Sequence, residues 1–174
     1  MKLDQLAKLE LFYKELGINL KEPLDFKSRF RMQKESFIVN EIGKLQIFDL
    51  ISMENDYSWY IRGVYSQNIA NAYYSIMLNR HVLDTIDIKS LNGEFVQTLK
   101  KVKEFFNKFK QQFKVKKGFG KFDDLLELYS SIIYFQNYQK LDNYNEIWKT
   151  IKKEKPHLKM YEKEGLIMFN KWIF

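Results

Sequence analysis

Cysteine is missing from all 174 residues. That excludes disulfides, thiolate metal sites and a cysteine nucleophile, and it suits a reducing cytoplasm. Proline occurs twice and glycine seven times. So little turn-forming material favours long helices over a many-stranded sandwich. His81 and His157 are the two histidines, and they lie far apart in sequence. With no EF-hand-like loop either, neither a metal site nor a cofactor is expected. No run approaches the roughly 20 apolar residues of a membrane span. The first sixteen residues interleave apolar side chains with Lys2, Asp4, Lys8, Glu10, Lys14 and Glu15. A secretory signal needs an unbroken apolar stretch instead. A cytoplasmic protein with no membrane attachment is the expectation.

Apolar residues make up 45% of the chain and aromatic ones 17%. That is enough to build a core, and the length fits one domain over residues 1–174. The expected fold is mainly α, a compact set of six to seven helices with at most a short two-stranded β element.

Periodicity places the helices. Leu3, Leu6, Leu9, Phe12, Tyr13 and Leu16 recur at helical spacing, and Gly17 stands where a C-terminal cap belongs. A second helix is read from near Asp25 to about Ile42, closed by Gly43, with Phe26, Phe30, Phe37, Ile38 and Ile42 as its stripe. Residues 53–56 read as a loop. Tyr57, Trp59 and Ile61 then alternate with Ser58, Tyr60 and Arg62 in a strand-like pattern that Gly63 breaks. Ser66 is placed to cap a helix reaching about Asn79, and residues 85–90 allow a second short strand. Phe95, Leu99, Val102, Phe106, Phe109 and Phe113 follow spacings of 4, 3, 4, 3 and 4, one face of a helix over 94–114. Gly118-Phe119-Gly120 reads as a turn. Further helices are expected from Asp123 to Gln136, from an Asn143 or Asn145 cap to Pro156, and onward to the C-terminus. Tyr161, Leu166, Phe169, Trp172 and Ile173 form the apolar face of the last one.

The chemistry-bearing motifs are mostly lacking. No GxSxG, SxxK or GxxxxGK[ST] pattern occurs. Ser130-Ser131 lies on a helix face, where serines pack or cap. Asp123 and Glu127 share a helical face, and acids in a first turn suit the helix dipole. These absences weigh against an enzyme, other than one whose site is assembled from distant acids.

Net charge is +7 and unevenly placed. Residues 100–121 hold nine lysines against Glu104, leaving 20 basic and 21 acidic residues elsewhere. Lys103, Lys110 and Lys114 fall on one edge of the phenylalanine stripe. Lys100 lies just beyond, and Lys116, Lys117 and Lys121 follow. Such a row is open to three readings: a solvated face, a contact for nucleic-acid phosphates, or a contact for an acidic protein. Lysines read no base sequence, so the nucleic-acid reading would be an accessory or regulatory one.

Three fragments and a dipeptide carry a resemblance. Arg29-Phe30-Arg31-Met32-Gln33-Lys34 resembles the R-x-x-L-Q-K helix of Panacea-domain proteins and their archaeal and bacterial relatives. Tyr60-Ile61-Arg62-Gly63-Val64-Tyr65-Ser66 resembles the Y-x-x-G-P-Y-S turn that follows it. Leu126-Glu127-Leu128-Tyr129-Ser130-Ser131-Ile132 resembles the L-E-x-x-A-S helix, and Lys155-Pro156 the lysine-proline break before the last helix. The matches come in the family's order and span most of the chain. Val64 departs from the pattern, standing where the family has proline. The resemblance implies a mainly helical antitoxin-like or defence-associated protein that binds a protein partner such as a toxin, rather than an enzyme.

Within these fragments, Gln33 lies on the apolar side of its helix and needs a hydrogen-bond partner, expected in the backbone near Gly63. The set expected to meet a partner is Arg29, Gln33, Lys34, Tyr60, Arg62, Tyr65 and Ser66. Trp172-Ile173-Phe174 is a further candidate surface, for a partner or for a homo-oligomer.

Overall fold

A computed structural model describes residues 2–18, 20, 25–42, 51, 56–61, 63–85, 93–115 and 121–171. The fold is mainly α. Among the described residues it has eight α-helices, one 3-10 helix and a two-stranded sheet. The chain runs α1 (Leu3–Glu15), α2 (Phe26–Glu41), β1 (Ser58–Tyr60), β2 (Gly63–Tyr65), α3 (Gln67–Leu78) and the single turn α4 (Arg80–Leu83). It continues through α5 (Gly93–Gln112), α6 (Lys121–Asn137) and α7 (Tyr144–Glu154), then a 3-10 helix (Pro156–Tyr161) and α8 (Glu162–Lys171). The seven longer α-helices are those expected, and the single-turn α4 joins them. No helix among the described residues is long and apolar enough to cross a membrane.

Local chemistry explains the boundaries. Gly17 adopts φ +77, and the Gly17 and Ile18 amides donate to the Lys14 and Tyr13 carbonyls, closing α1 in a Schellman turn. Asp25 caps α2 by accepting from the Ser28 amide at 2.7 Å. Ser66 caps α3 by accepting from Ile69 at 3.0 Å, and Asn143 caps α7 by accepting from Asn145 at 2.8 Å. Gly43, residues 53–55, residues 86–90 and the Gly118-Phe119-Gly120 turn lie outside the described residues, and so does the C-terminal Trp172-Ile173-Phe174.

The α5 stripe is buried as its spacing requires, and Phe105 joins it from the next column. Each such phenylalanine contributes about 1.5–3 kcal/mol of burial. α6 is enclosed almost completely, with every residue from Leu125 to Phe135 buried, and its main neighbour is α2. α2 is likewise buried without a break from Met32 to Val39. Phe26 departs from its expected stripe and stands exposed, because the first turn of α2 projects past the core. Leu3 is exposed for the same reason at the start of α1. On α8 the inward positions are Gly165 and Met168, which turns Leu166 toward solvent instead of into the apolar face expected of it.

The sheet forms differently from the expected strand-and-break. Gly63 does not end the β structure. It opens β2 at φ +84, and β2 folds straight back on β1 with Ser58 opposite Tyr65, Trp59 opposite Val64 and Tyr60 opposite Gly63. Glycine reaches that φ without the Cβ clash of other residues. This hairpin packs against α2 and α6.

Candidate functional site

The fragments distant in sequence meet beside the hairpin. Gln33 sends its side-chain amide to Ser66, accepting from the Ser66 N–H at 2.8 Å and donating to the Ser66 carbonyl at 3.0 Å. The expected partner of this buried amide is thus backbone, three residues beyond Gly63. Ser66 Oγ donates to Asp56, whose other oxygen accepts from the Asn68 amide at 2.9 Å. Asp56, read from sequence as loop, therefore supports the α3 N-terminus, where a carboxylate is favoured.

One residue on, Lys34 is buried and its Nζ donates to the Val64 carbonyl at 2.7 Å. Val64 buries its side chain in the core while supplying this acceptor. Lys155, between α7 and the 3-10 helix, reaches the same place and donates to Glu127 of α6. The other Glu127 oxygen lies 3.0 Å from His157 Nε2. Ser130 and Ser131 turn their hydroxyls back onto the Glu127 carbonyl at 3.1 and 2.7 Å, the packing role expected of them. Glu127 is thus more than a first-turn acid beside Asp123. It is the carboxylate facing two lysines.

Electrostatics follow from that count. Burial opposes the Glu127 charge, but Lys155 and His157 hold its carboxyl below the ordinary range. For Lys34 burial dominates and the Lys155 cation adds to it. With Glu127 only partly offsetting both, its pKa falls to about 7. Trp59 closes the outer side. Its ring lies 5.2 Å from Lys155 Nζ, and its indole N–H donates to Glu154 at 3.1 Å.

On the open side of this lattice is a groove of about 580 Å³. α2 gives it Phe26, Arg29, Phe30, Gln33 and Lys34. The hairpin gives Tyr60, Ile61, Gly63 and Tyr65, and α3 gives Gln67, Tyr73 and Tyr74. Such a volume is ordinary for a binding site. The rim is unusually apolar for surface: Ile61 is 92% exposed, Tyr60 62%, Tyr74 59% and Phe26 53%. Of the expected partner-facing residues, Arg29, Gln33, Lys34, Tyr60 and Tyr65 all line the groove. Ser66 lies buried beneath it, and Arg62 lies outside the described residues.

The lysine row is divided. Lys103 pairs with Glu15 of α1 at 2.8 Å, and Lys121 with Glu164 of α8 at 3.7 Å. Lys110 is half-buried, with its Nζ 4.6 Å from the Phe122 ring centre, and burial lowers its pKa. Lys100 and Lys114 are exposed, while Lys116 and Lys117 lie outside the described residues. Beside Lys110 is a second polar cluster that sequence spacing did not reveal. Arg31 pairs with buried Glu35 at 2.7 Å and donates to the Leu16 carbonyl at 2.9 Å. Burial, opposed by Arg31, raises the Glu35 carboxyl to about 7. Among the described residues no group of three or more His, Asp or Glu side chains is arranged to hold a metal ion.

No protein-family model matches the chain, and neither a curated protein nor a solved structure matches it. What the fold and the site define is a class: a mainly-α protein with a tyrosine-rich groove backed by a buried lysine–glutamate lattice.

Proposed function

We propose that this chain is an antitoxin-like or defence-associated protein that acts by holding a protein partner in the groove between α2, the hairpin and α3. One observation carries the reading. Among the described residues, four of the nine exposed large apolar side chains stand on the rim of this groove. Apolar surface gathered in one place marks a contact site, whereas scattered exposed residues need no explanation. Tyrosine and arginine, which line it, are the side chains that dominate protein interfaces. The resemblance of the α2, hairpin, α6 and Lys155-Pro156 fragments to Panacea-domain antitoxins supports the same reading, because those fragments build the groove and its backing.

The test is affinity purification from the source organism, comparing the wild type with a Tyr60→Asp/Tyr74→Asp variant of matched circular dichroism. A stoichiometric protein that survives high salt, is lost from the variant, and is toxic unless this chain is co-expressed supports the proposal. A partner retained undiminished by the variant overturns the groove as the contact. A partner with no toxicity of its own removes the antitoxin part.

A further inference from the structure

We propose that the groove accepts an acidic segment of the partner polypeptide, one that brings a carboxylate to the α2 wall and lays an apolar side chain against the tyrosines. This rests on the reading of the groove as a partner surface and specifies the chemistry of its occupant.

The first ground is charge. Among the described residues, Arg29 and Lys34 line the groove and no aspartate or glutamate does. Glu127, behind Lys34, partly offsets its charge and is itself hydrogen-bonded to Lys155 and His157. The Lys155 Nζ lies near enough that a Cβ added at Gly63 would be 3.2 Å from it and 3.1 Å from Lys34 Nζ. Two ammonium groups and an exposed guanidinium thus bear on one wall. An anion entering there gains Coulomb attraction in a partly desolvated setting, where such attraction exceeds its value in water. A cationic ligand would meet repulsion despite the aromatic rim.

The second ground is extent. A small carboxylate filling the floor would leave Ile61 and Tyr60 uncovered at the hairpin tip. A polypeptide covers floor and rim together. A nucleic acid needs a row of cations tracking its backbone. Among the described residues only Arg29 and Lys34 line the groove as cations, and the lysines of α5 do not line it.

Binding is then linked to protonation of Lys34. The groups around it are Arg29 on α2, Tyr60 and Tyr65 on the hairpin, Tyr73 and Tyr74 on α3, Glu127 on α6, and Lys155 and His157 at the 3-10 helix. A carboxylate in the groove favours the ammonium form, so affinity is full below the Lys34 pKa and falls as pH rises through it.

Calorimetry on the intact chain tests this with four defined probes. They are acetyl-Asp-Phe-Asp-Phe-amide, its Asn-for-Asp and Lys-for-Asp counterparts, and a twelve-nucleotide oligothymidine. A fifth titration uses phenylpropionate. The acidic peptide is expected to bind one to one, about tenfold tighter than the asparagine peptide, with the lysine peptide weakest. Its affinity should fall about threefold or more between pH 6.5 and 8.5. Lys34→Met should flatten that dependence, and the surface variant Arg29→Gln, which leaves the core untouched, should weaken the acidic peptide selectively. Equal binding of the three peptides, or binding of none, overturns the acidic-segment assignment. Phenylpropionate or oligothymidine binding as tightly as the acidic peptide replaces the occupant with a small carboxylate or a nucleic acid. The groove reading itself is judged separately, by loss of the native partner from the Tyr60→Asp/Tyr74→Asp variant.

Discussion

The Gln33 amide meets the backbone of Ser66 with both its oxygen and its nitrogen, at 2.8 and 3.0 Å. This tie fixes α2 to the start of α3 across the floor of the groove. The Ser66 carbonyl has a second donor in the Ala70 amide at 3.3 Å, whereas its N–H depends on Gln33. Gln33→Leu therefore strands one buried donor. The expected loss is about 1–3 kcal/mol of stability, read from the urea midpoint. A variant as stable as the wild type would show that the tie contributes little.

Gly63→Ala introduces two penalties at once. The residue sits at φ +84, where a side chain is strained, and the new Cβ would crowd Lys34 Nζ at 3.1 Å. A loss of about 1–3 kcal/mol is expected from the backbone conformation alone. The same variant should weaken partner binding, since the hairpin tip and Lys34 both border the groove. Chemical denaturation and partner titration measure the two effects separately.

Glu127 faces Lys34 and Lys155, so removing its charge leaves buried cations uncompensated. Glu127→Gln should cost about 3–5 kcal/mol. Adding Lys155→Met should recover much of that loss, because the second substitution removes the stranded charge. The carboxyl is held below its ordinary range in the fold. Its contribution is therefore present above the unfolded pKa and is lost as pH falls through the folded one. Stability of the wild type should decline in acid more steeply than that of the double variant.

Glu35 has the opposite sign. Burial raises its carboxyl to about 7, against an ordinary 4.5. Between those values the folded chain holds a proton that the unfolded chain has released, so this group's contribution declines as pH rises from about 4.5 to 7. Glu35→Gln should flatten that decline and make the variant relatively more stable at pH 8 than at pH 5. Urea titrations at both values decide it. A wild type and variant that differ equally at both would exclude a buried titrating carboxyl.

Much of this fold is legible in the spacing of apolar residues. The α5 stripe, the Ser66 and Asn143 caps and the Gly17 turn each follow from residues within one or two helical turns. The need of Gln33 for a backbone partner is legible too, because a buried amide must be satisfied, although its partner proved to be Ser66. The lattice is not legible in that way. Glu127 and Lys155 are 28 residues apart, and Trp59 reaches Glu154 across 95. No periodicity encodes such pairings. α6 hides its orientation as well, since it is buried on every side from Leu125 to Phe135, and α2 misleads because Gln33, Lys34, Glu35 and Ser36 are buried despite being polar. The fragments quoted for the resemblance contain Lys34, Glu127 and Lys155, but short matches do not say that the three meet in one cluster.

The groove is built in two tiers with different tolerance to change. Gln33, Lys34 and Ser66 below are locked by buried hydrogen bonds, so a change in one disturbs the others. Phe26, Tyr60, Ile61 and Tyr74 above present their side chains outward, where substitutions usually alter stability by within about 0.5 kcal/mol. Substitutions at the rim can therefore reshape the surface the groove presents while leaving the buried tier beneath it intact.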